Sequence, residues 1–204
     1  MEILASFFGP SKDEIWSKIA KDIGGTYVDA GFWGTDVLIY KHNDWELLLD
    51  TYTQSTGKSS TTYTRLRVPF VNKNKLKFSI YREGFFSSIG KFFGMQDILI
   101  GDFNFDKQFI IKGNDEFKIK HILSDQHLKK LFNKQRYVNI QIKDDEGWFA
   151  QKYPEDVDVL YFSSIGIIKE KNTLLNLFEL FAAILDRLVE INIAYNDEPN
   201  IKVR

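Results

Sequence analysis

From Trp45 to Tyr81 the chain reads WELLLDTYTQSTGKSSTTYTRLRVPFVNKNKLKFSIY, and apolar side chains alternate with polar ones along most of this stretch. A period of two is typical of β-strands that have one buried face. Polar runs at 55–60 and 71–74 interrupt the alternation and predict turns. The stretch therefore predicts three consecutive antiparallel strands, which continue a β-meander that begins at Thr26.

Matching apolar residues predicts the register of these strands, because a slip by one residue would turn every side chain to the other face. Leu49 is predicted to lie across from Leu66, and Val68 across from Phe78. The core face then carries these four residues and their neighbours on the same strands, Trp45, Leu47, Phe70, Leu76 and Ile80.

The opposite face of the predicted sheet collects cations and tyrosines. The 32 residues from Thr51 to Arg82 contain seven Lys and Arg and no Asp or Glu. Cations that neutralise phosphates and rings that stack on bases are typical of anion-binding and nucleic-acid-binding surfaces. The predicted anion-binding residues are Tyr63, Arg65, Arg67, Lys77 and Tyr81. The alternative is a structural face, since the same register places Asp50 across from Arg65 and pairs their charges.

Helical patterns surround this sheet. Ser11 and Glu14 form a capping box and Gly24-Gly25 a stop, which predicts a helix over 11–23. Asn172 is predicted to cap a long amphipathic C-terminal helix that ends near Ile193. The other predicted elements are a short helix over Phe85–Phe92, strands Ile98–Ile100 and Phe109–Lys112 around a turn-rich centre, helices Asp115–Leu123 and Asp125–Asn133 with Ser124 as a cap between them, and strands Tyr137–Lys143 and Val157–Ser164. The predicted fold class is α+β, an antiparallel β-meander sheet packed against helices, in a single domain over 1–204 with a frayed tail from about 196.

Composition excludes several classes of protein. The chain has 204 residues, 44% of them hydrophobic, and a formal charge of -1, so it is not intrinsically disordered. Without cysteine it has no disulfides, thiolate metal sites or thiol nucleophiles, and a cytoplasmic location is expected. The start of the chain lacks the pattern of a signal peptide. Charged residues interrupt the apolar stretch 174–193, so no transmembrane segment is expected.

The sequence contains short motifs that suggest a phosphate or metal site, but each of them is incomplete. Gly57-Lys58-Ser59 lacks the first glycine and the following helix of a phosphate-binding loop. Asp102, Asn104 and Asp106 copy the start of a calcium loop that lacks its closing glutamate. The histidines are not spaced to share a zinc ion, and no serine-hydrolase elbow occurs. The sequence therefore predicts no catalytic residue, no cofactor and no metal.

The order of residues from about Trp45 to Ile191 resembles a bacterial family known only as a domain of unknown function. The resemblance is densest from Gly101 to Phe132, and relatives often carry membrane-spanning segments ahead of this part, unlike this chain. The matching residues are Gly101-Asp102, Phe105-Asp106, Phe109-Ile110-Ile111, Asp115, Ile122-Leu123-Ser124 and Leu128 to Leu131, followed by the strand Tyr137 to Ile142 and the last helix. The resemblance implies a soluble α+β module without catalytic residues to transfer.

The functional hypothesis is an uncharacterised, non-enzymatic binding or interaction module whose partner is a protein or an anionic ligand. The near-neutral charge does not favour a nucleic-acid partner. The alternative is an enzyme whose site is assembled from dispersed polar residues, which a deep polar cleft would indicate.

Overall fold

The computed structural model describes residues 9–31, 34–82, 95–144, 153–195 and 199. In this part of the chain, nine strands form one antiparallel sheet. The helices of the same part pack on one face of that sheet. The strands are β1 (Thr26–Val28), β2 (Val37–His42), β3 (Trp45–Ser55), β4 (Ser60–Val71), β5 (Phe78–Arg82), β6 (Gln96–Asp97), β7 (Phe109–Gly113), β8 (Asn139–Lys143) and β9 (Val157–Ile165). The helices are α1 (Lys12–Ile23), α2 (Phe103–Gln108), α3 (Glu116–Leu123), α4 (Gln126–Lys134) and α5 (Lys171–Glu190). The predicted α+β class, with a long C-terminal helix, is confirmed.

The first four strands form the predicted meander. Leu49 lies across from Leu66, as the apolar matching predicts, and Asp50 lies across from Arg65. The Gly57-Lys58-Ser59 segment forms the polar tip of this hairpin, where the Thr56 N–H donates to the Ser59 carbonyl. A local hairpin is predictable because its two strands are joined by a short turn and have few alternative partners.

The predicted place of β5 beside β4 is wrong. The spatial order of the sheet is β1-β2-β3-β4-β9-β8-β5-β7-β6, so β9 and β8 separate the two strands. Val68 lies across from Leu160, whereas Phe78 lies across from Gly113. The apolar pattern predicted the buried face of each strand correctly, since Val68 and Phe78 share one core, but β9 offers β4 a longer matching partner.

Helix α1 begins and ends where the sequence predicts. The Ser11 hydroxyl accepts the Glu14 N–H, and the Glu14 carboxylate accepts the Ser11 N–H. Gly24 ends the helix in the left-handed region, at φ 73°. Trp16 is fully buried and donates its indole N–H to the Ile168 carbonyl at 3.0 Å, which joins α1 to the segment after β9.

The segment between β6 and β7 forms a helix where turns were predicted. Asp102 caps α2 by accepting the Phe105 N–H, and Asp106 accepts the N–H groups of Ile100 and Gly101. Asp102 and Asp106 therefore bond to the local backbone. This role is the alternative to calcium binding for the aspartate cluster. The strand predicted at Ile98–Ile100 lies earlier, at Gln96–Asp97.

Ser124, the predicted cap between two helices, is the C-cap of α3 but does not cap α4, and the predicted cap Asn172 is wrong. Asp125, and not Ser124, caps α4, because its carboxylate accepts the Leu128 N–H at 2.7 Å while the Ser124 hydroxyl donates to the His121 carbonyl. Helix α5 begins at Lys171, after Glu170, so Asn172 lies inside its first turn. The predicted apolar stripe of α5 is buried: Leu174, Leu177, Phe178, Phe181, Ile184, Leu185 and Leu188.

An ion pair joins the start of α2 to α4. The Lys129 Nζ lies 2.7 Å from an Asp102 carboxylate oxygen. This ammonium, together with the Phe105 N–H, lowers the pKa of Asp102 below its ordinary value of 3.8.

A carboxyl group with a lowered folded-state pKa stabilises the fold at pH values above its unfolded pKa and loses that contribution as the pH falls through the folded value. We expect Lys129→Met to raise the pKa of Asp102 toward its ordinary value, measured by NMR titration of the carboxyl carbon. An unchanged titration midpoint in Lys129→Met would contradict the pairing.

Two predictions fall outside the described residues: the helix over Phe85–Phe92 and most of the frayed tail from 196. Within the described residues, no helix is long and apolar enough to cross a membrane.

Candidate functional site

The sheet has an inner face, which packs on the helices, and an outer face. Leu49, Leu66 and Phe162 point inward, into one core with Phe181 of α5. Side chains alternate along each strand, so the outer sheet face carries the residues between them. At its centre, on β3, β4 and β9, these outer residues are Leu48, Asp50, Tyr52, Tyr63, Arg65, Arg67, Tyr161 and Ser163.

One carboxylate on the outer sheet face contacts two guanidinium groups. Arg65 donates from Nε and Nη2 to the two Asp50 oxygens, at 2.7 and 2.8 Å. Arg67 donates from Nη2 to the same carboxylate at 2.5 Å. The Asp50 and Arg67 side chains are each only 5% exposed, and that of Arg65 is 17% exposed. This Asp50 clamp therefore fixes both arginines where water screens charge poorly.

A stack of aromatic rings adjoins the Asp50 clamp. The rings of Tyr52 and Tyr63, which lie across from each other, are 5.0 Å apart between centroids and inclined by 11°. The Arg65 guanidinium lies 5.1 Å from the centre of the Tyr52 ring. Burial raises the pKa of Tyr52, although hydrogen bonds with the side chains of Tyr161 and Ser163 act in the opposite direction. The cluster is therefore one connected group of rings, hydroxyls and a guanidinium.

Strands β9 and β8 extend this surface with polar side chains. The Lys143 ammonium lies 3.2 Å from the centre of the Tyr161 ring. The Asn139 amide lies within 3.4 Å of the Ser163 hydroxyl and accepts a hydrogen bond from Gln141 at 2.7 Å. Sequence reasoning missed all of these residues, because they follow the end of β4 by 68 to 92 positions. The sequence does hold one signal for Tyr161 and Ser163. Alternation within 157–164 turns these two side chains away from the face that carries the apolar residue between them.

The structure brings together three of the five residues predicted to bind an anion. Tyr63, Arg65 and Arg67 share the centre of the outer sheet face. Tyr81 lies on β5, three strands from β4, which is about 14 Å at the usual strand spacing. Its side chain is 4% exposed, and burial raises its pKa.

Lys77 precedes β5 and has its own acidic partner. Its Nζ lies 2.5 Å from Asp158 and 3.9 Å from Asp144. Asp158 also accepts from the Asn72 amide, and burial raises the pKa of its carboxyl group despite these two partners. The separation of Lys77 from Arg65 follows from the insertion of β9 and β8. Three of the predicted cations therefore have acidic partners: Asp50 contacts Arg65 and Arg67, and Asp158 contacts Lys77.

A cavity of about 320 Å³ lies between α4 and α5. Three of its four carboxylates have partners within the chain, and Ala182 and Ala183 form part of its wall. Asp125 caps α4, Asp186 accepts from His42 and Asn43, and Glu190 pairs with Arg187. Among the described residues, no group of three or more His, Asp or Glu side chains is placed to hold a metal ion.

Comparison with known proteins gives one structural likeness. No protein-family model matches the chain and no curated protein is similar to it, so the resemblance to a family of unknown function is not confirmed. The fold is similar to the crystal structure of the mycobacterial trehalose monomycolate transport factor A, TtfA, with a TM-score of 0.50 and 8% sequence identity. The match covers 87% of this chain and 94% of the other. At this identity the likeness shows the fold alone.

Proposed function

We propose that this chain is a non-enzymatic binding module that recognises a protein partner through its outer sheet face. The observation that carries the proposal is the stack of Tyr52, Tyr63 and Arg65. Tyrosine and arginine are over-represented among the residues that contribute most of the binding energy at protein interfaces. Both types meet here on the outer sheet face, where β3 pairs with β4.

The rigidity of the stack supports this role. Arg65 is held by two hydrogen bonds to Asp50, and the two tyrosine rings hold each other. Side chains that are ordered before binding lose less conformational entropy when a partner contacts them. The stack is therefore suited to act as a preformed contact surface.

An exposed isoleucine enlarges the contact area. Ile165, at the end of β9, is 58% exposed, and the next residue, Gly166, forms a β-bridge with Tyr63. A partner that covers the tyrosine stack would also remove Ile165 from water. Burial of apolar area supplies the non-directional part of a binding free energy.

The structural neighbour supports the non-enzymatic part of the proposal. The neighbour is a transport factor, and we extend only that non-enzymatic character to this chain.

Site-specific photo-crosslinking tests the proposal. The full chain is produced in cells with p-benzoylphenylalanine in place of Tyr63, and in a control in place of Tyr195, which is 40% exposed after α5. We expect a discrete crosslinked protein at position 63 that is absent at position 195. Tyr63→Ala should then weaken binding to that purified protein by about 30-fold, the effect of an interface hot spot, and Tyr195→Ala should not. Identical products at both positions, or no product at 63, would contradict the proposal.

A second candidate, binding of an anionic ligand, is favoured by a different observation. Two guanidinium groups meet at the Asp50 carboxylate, and their planar forks suit phosphate. Lys77 and Tyr81, which belong to the sequence-based proposal, lie too far away to contact the same small ligand.

Titration with pyrophosphate and with a labelled single-stranded oligonucleotide tests this candidate. Binding at low salt that weakens steeply at moderate salt, and is lost in Arg65→Lys, would support it. Absence of binding at low salt excludes the anionic ligand and leaves the protein partner.

A further inference from the structure

Two apolar side chains project from the first residue of α2 and from the loop before it. Phe103 is 79% exposed and Leu99 is 69% exposed, whereas Phe105, two positions later, is buried against Phe109 and Phe132. Large apolar side chains that are this exposed contribute little to the fold, and they often mark an interaction site when they are grouped.

Phe103 and Leu99 belong to one small surface. Asp106 lies one helical turn after Phe103, and its two oxygens accept the N–H groups of Ile100 and Gly101. These bonds hold the loop against the side of α2 that carries Phe103. The residue after Leu99 is therefore fixed beside the turn that begins with Phe103.

Helices α2 and α4 lie side by side. At one end Asp102 pairs with Lys129, and at the other Arg82 donates to the Gln108 side chain and to the Asn133 carbonyl, at 3.1 and 3.3 Å. The outer surface of this pair therefore joins the two apolar side chains to the solvent-facing residues of α4.

The cations on this surface are exposed. Lys107 follows Phe103 by one turn, and Lys130 and Lys134 are one turn apart on α4. None of the three makes an ion pair within the ranges that the structure describes. We define the α2–α4 surface as Leu99, Phe103, Lys107, Lys130 and Lys134.

The charge of the surrounding segment favours an anionic occupant. Residues 96–136 contain eight Lys and Arg against six Asp and Glu, whereas the rest of the chain contains nineteen against twenty-two. The carboxylates of this segment are engaged in capping, as at Asp102 and Asp125, or in ion pairs, as between Asp97 and Lys112.

We propose that the α2–α4 surface docks the protein onto an anionic lipid bilayer, with Leu99 and Phe103 in the interface and the three lysines at the headgroups. A bilayer accommodates side chains that project singly, whereas a rigid partner needs a matching cavity for each. Basic residues beside the inserted side chains add electrostatic attraction to anionic headgroups. Phe117 is equally exposed, but the Glu116–Lys120 and Asp115–Lys118 pairs balance the charge around it. This proposal is independent of the outer sheet face.

Flotation of the full chain with lipid vesicles tests the proposal. The probes are vesicles of phosphatidylcholine alone and vesicles that contain one third phosphatidylglycerol. We expect the wild type to float with the anionic vesicles and much less with the neutral ones. Lys130→Gln with Lys134→Gln should lower the partition coefficient about 30-fold, because each lysine near an anionic surface contributes about fivefold. Leu99→Ser with Phe103→Ser should lower it about tenfold.

Matched controls distinguish docking through the α2–α4 surface from nonspecific adsorption to the vesicles. Lys18→Gln with Lys21→Gln removes two exposed cations of α1, and Ile165→Ser removes an exposed apolar side chain of the outer sheet face. Both control variants should bind as the wild type does. The substituted side chains are exposed, so all variants should melt at the wild-type temperature. A wild type that does not float with anionic vesicles at low salt, or variants of the α2–α4 surface that float as it does, would overturn the proposal and leave a protein partner for this surface.

Discussion

Asp50→Asn is expected to lower the free energy of unfolding by about 3 to 5 kcal/mol, the usual cost of removing one partner from a buried ion pair. The asparagine keeps the size of the side chain but removes the charge that both Arg65 and Arg67 contact. Two guanidinium groups would then share a poorly hydrated site without that counter-charge. The midpoint of urea denaturation, with an unchanged slope, measures the effect.

An exposed ion pair provides the control for this result. Glu116 pairs with Lys120 on the surface of α3, where both side chains are about half exposed. Glu116→Gln should change the free energy of unfolding by no more than about 0.5 kcal/mol. If Asp50→Asn were as mild as Glu116→Gln, the Asp50 clamp would not stabilise the sheet.

Phe181→Ala is expected to cost about 3 to 5 kcal/mol of unfolding free energy. The Phe181 ring is fully buried in the centre of α5, within the same apolar cluster as Leu49 and Leu66 of the sheet. Its removal leaves a cavity that the surrounding strands cannot fill without losing their pairing. Thermal and urea unfolding both report the loss.

Phe117→Ala is the matched control, because Phe117 has the same side chain but is 80% exposed. Its unfolding free energy should stay within about 0.5 kcal/mol of the wild type. A Phe181→Ala variant that melts like the wild type would show that α5 is not part of the core that the sheet requires.

Local patterns predicted the fold where neighbours in sequence are neighbours in space. The α1 capping box and the Leu49–Leu66 pairing are such cases. The error at β5 arose because alternation reports which face of a strand is buried and carries no information on which strand lies beside it. Val68 needs an apolar partner, and both Phe78 and Leu160 satisfy that need.

The same limit applies to the candidate site. Tyr63, Arg65 and Asp50 could be grouped from the sequence, because one hairpin carries them all. Tyr161 and Ser163 join them through the pairing of β9 with β4, which no local pattern reveals. The charge pattern placed Arg65 and Arg67 on the outer sheet face correctly, but it could not assign Asp158 to Lys77, since these residues lie 81 positions apart.

The position of β9 also determines the order of events when the chain is synthesised. β4 leaves the ribosome long before β9, yet β9 is its partner on one side in the finished sheet. Until residues 157–165 emerge, the β4 edge of the β1–β4 meander has no partner strand. The strands β5, β7 and β8 form a separate group that is not yet joined to it. Long-range pairing of this kind folds slowly, and an unpaired edge is prone to associate with other chains. Nascent chains of this protein should therefore depend on chaperones until residues 157–165 have emerged, and a chain that stops before residue 157 should aggregate because its two groups of strands remain unjoined.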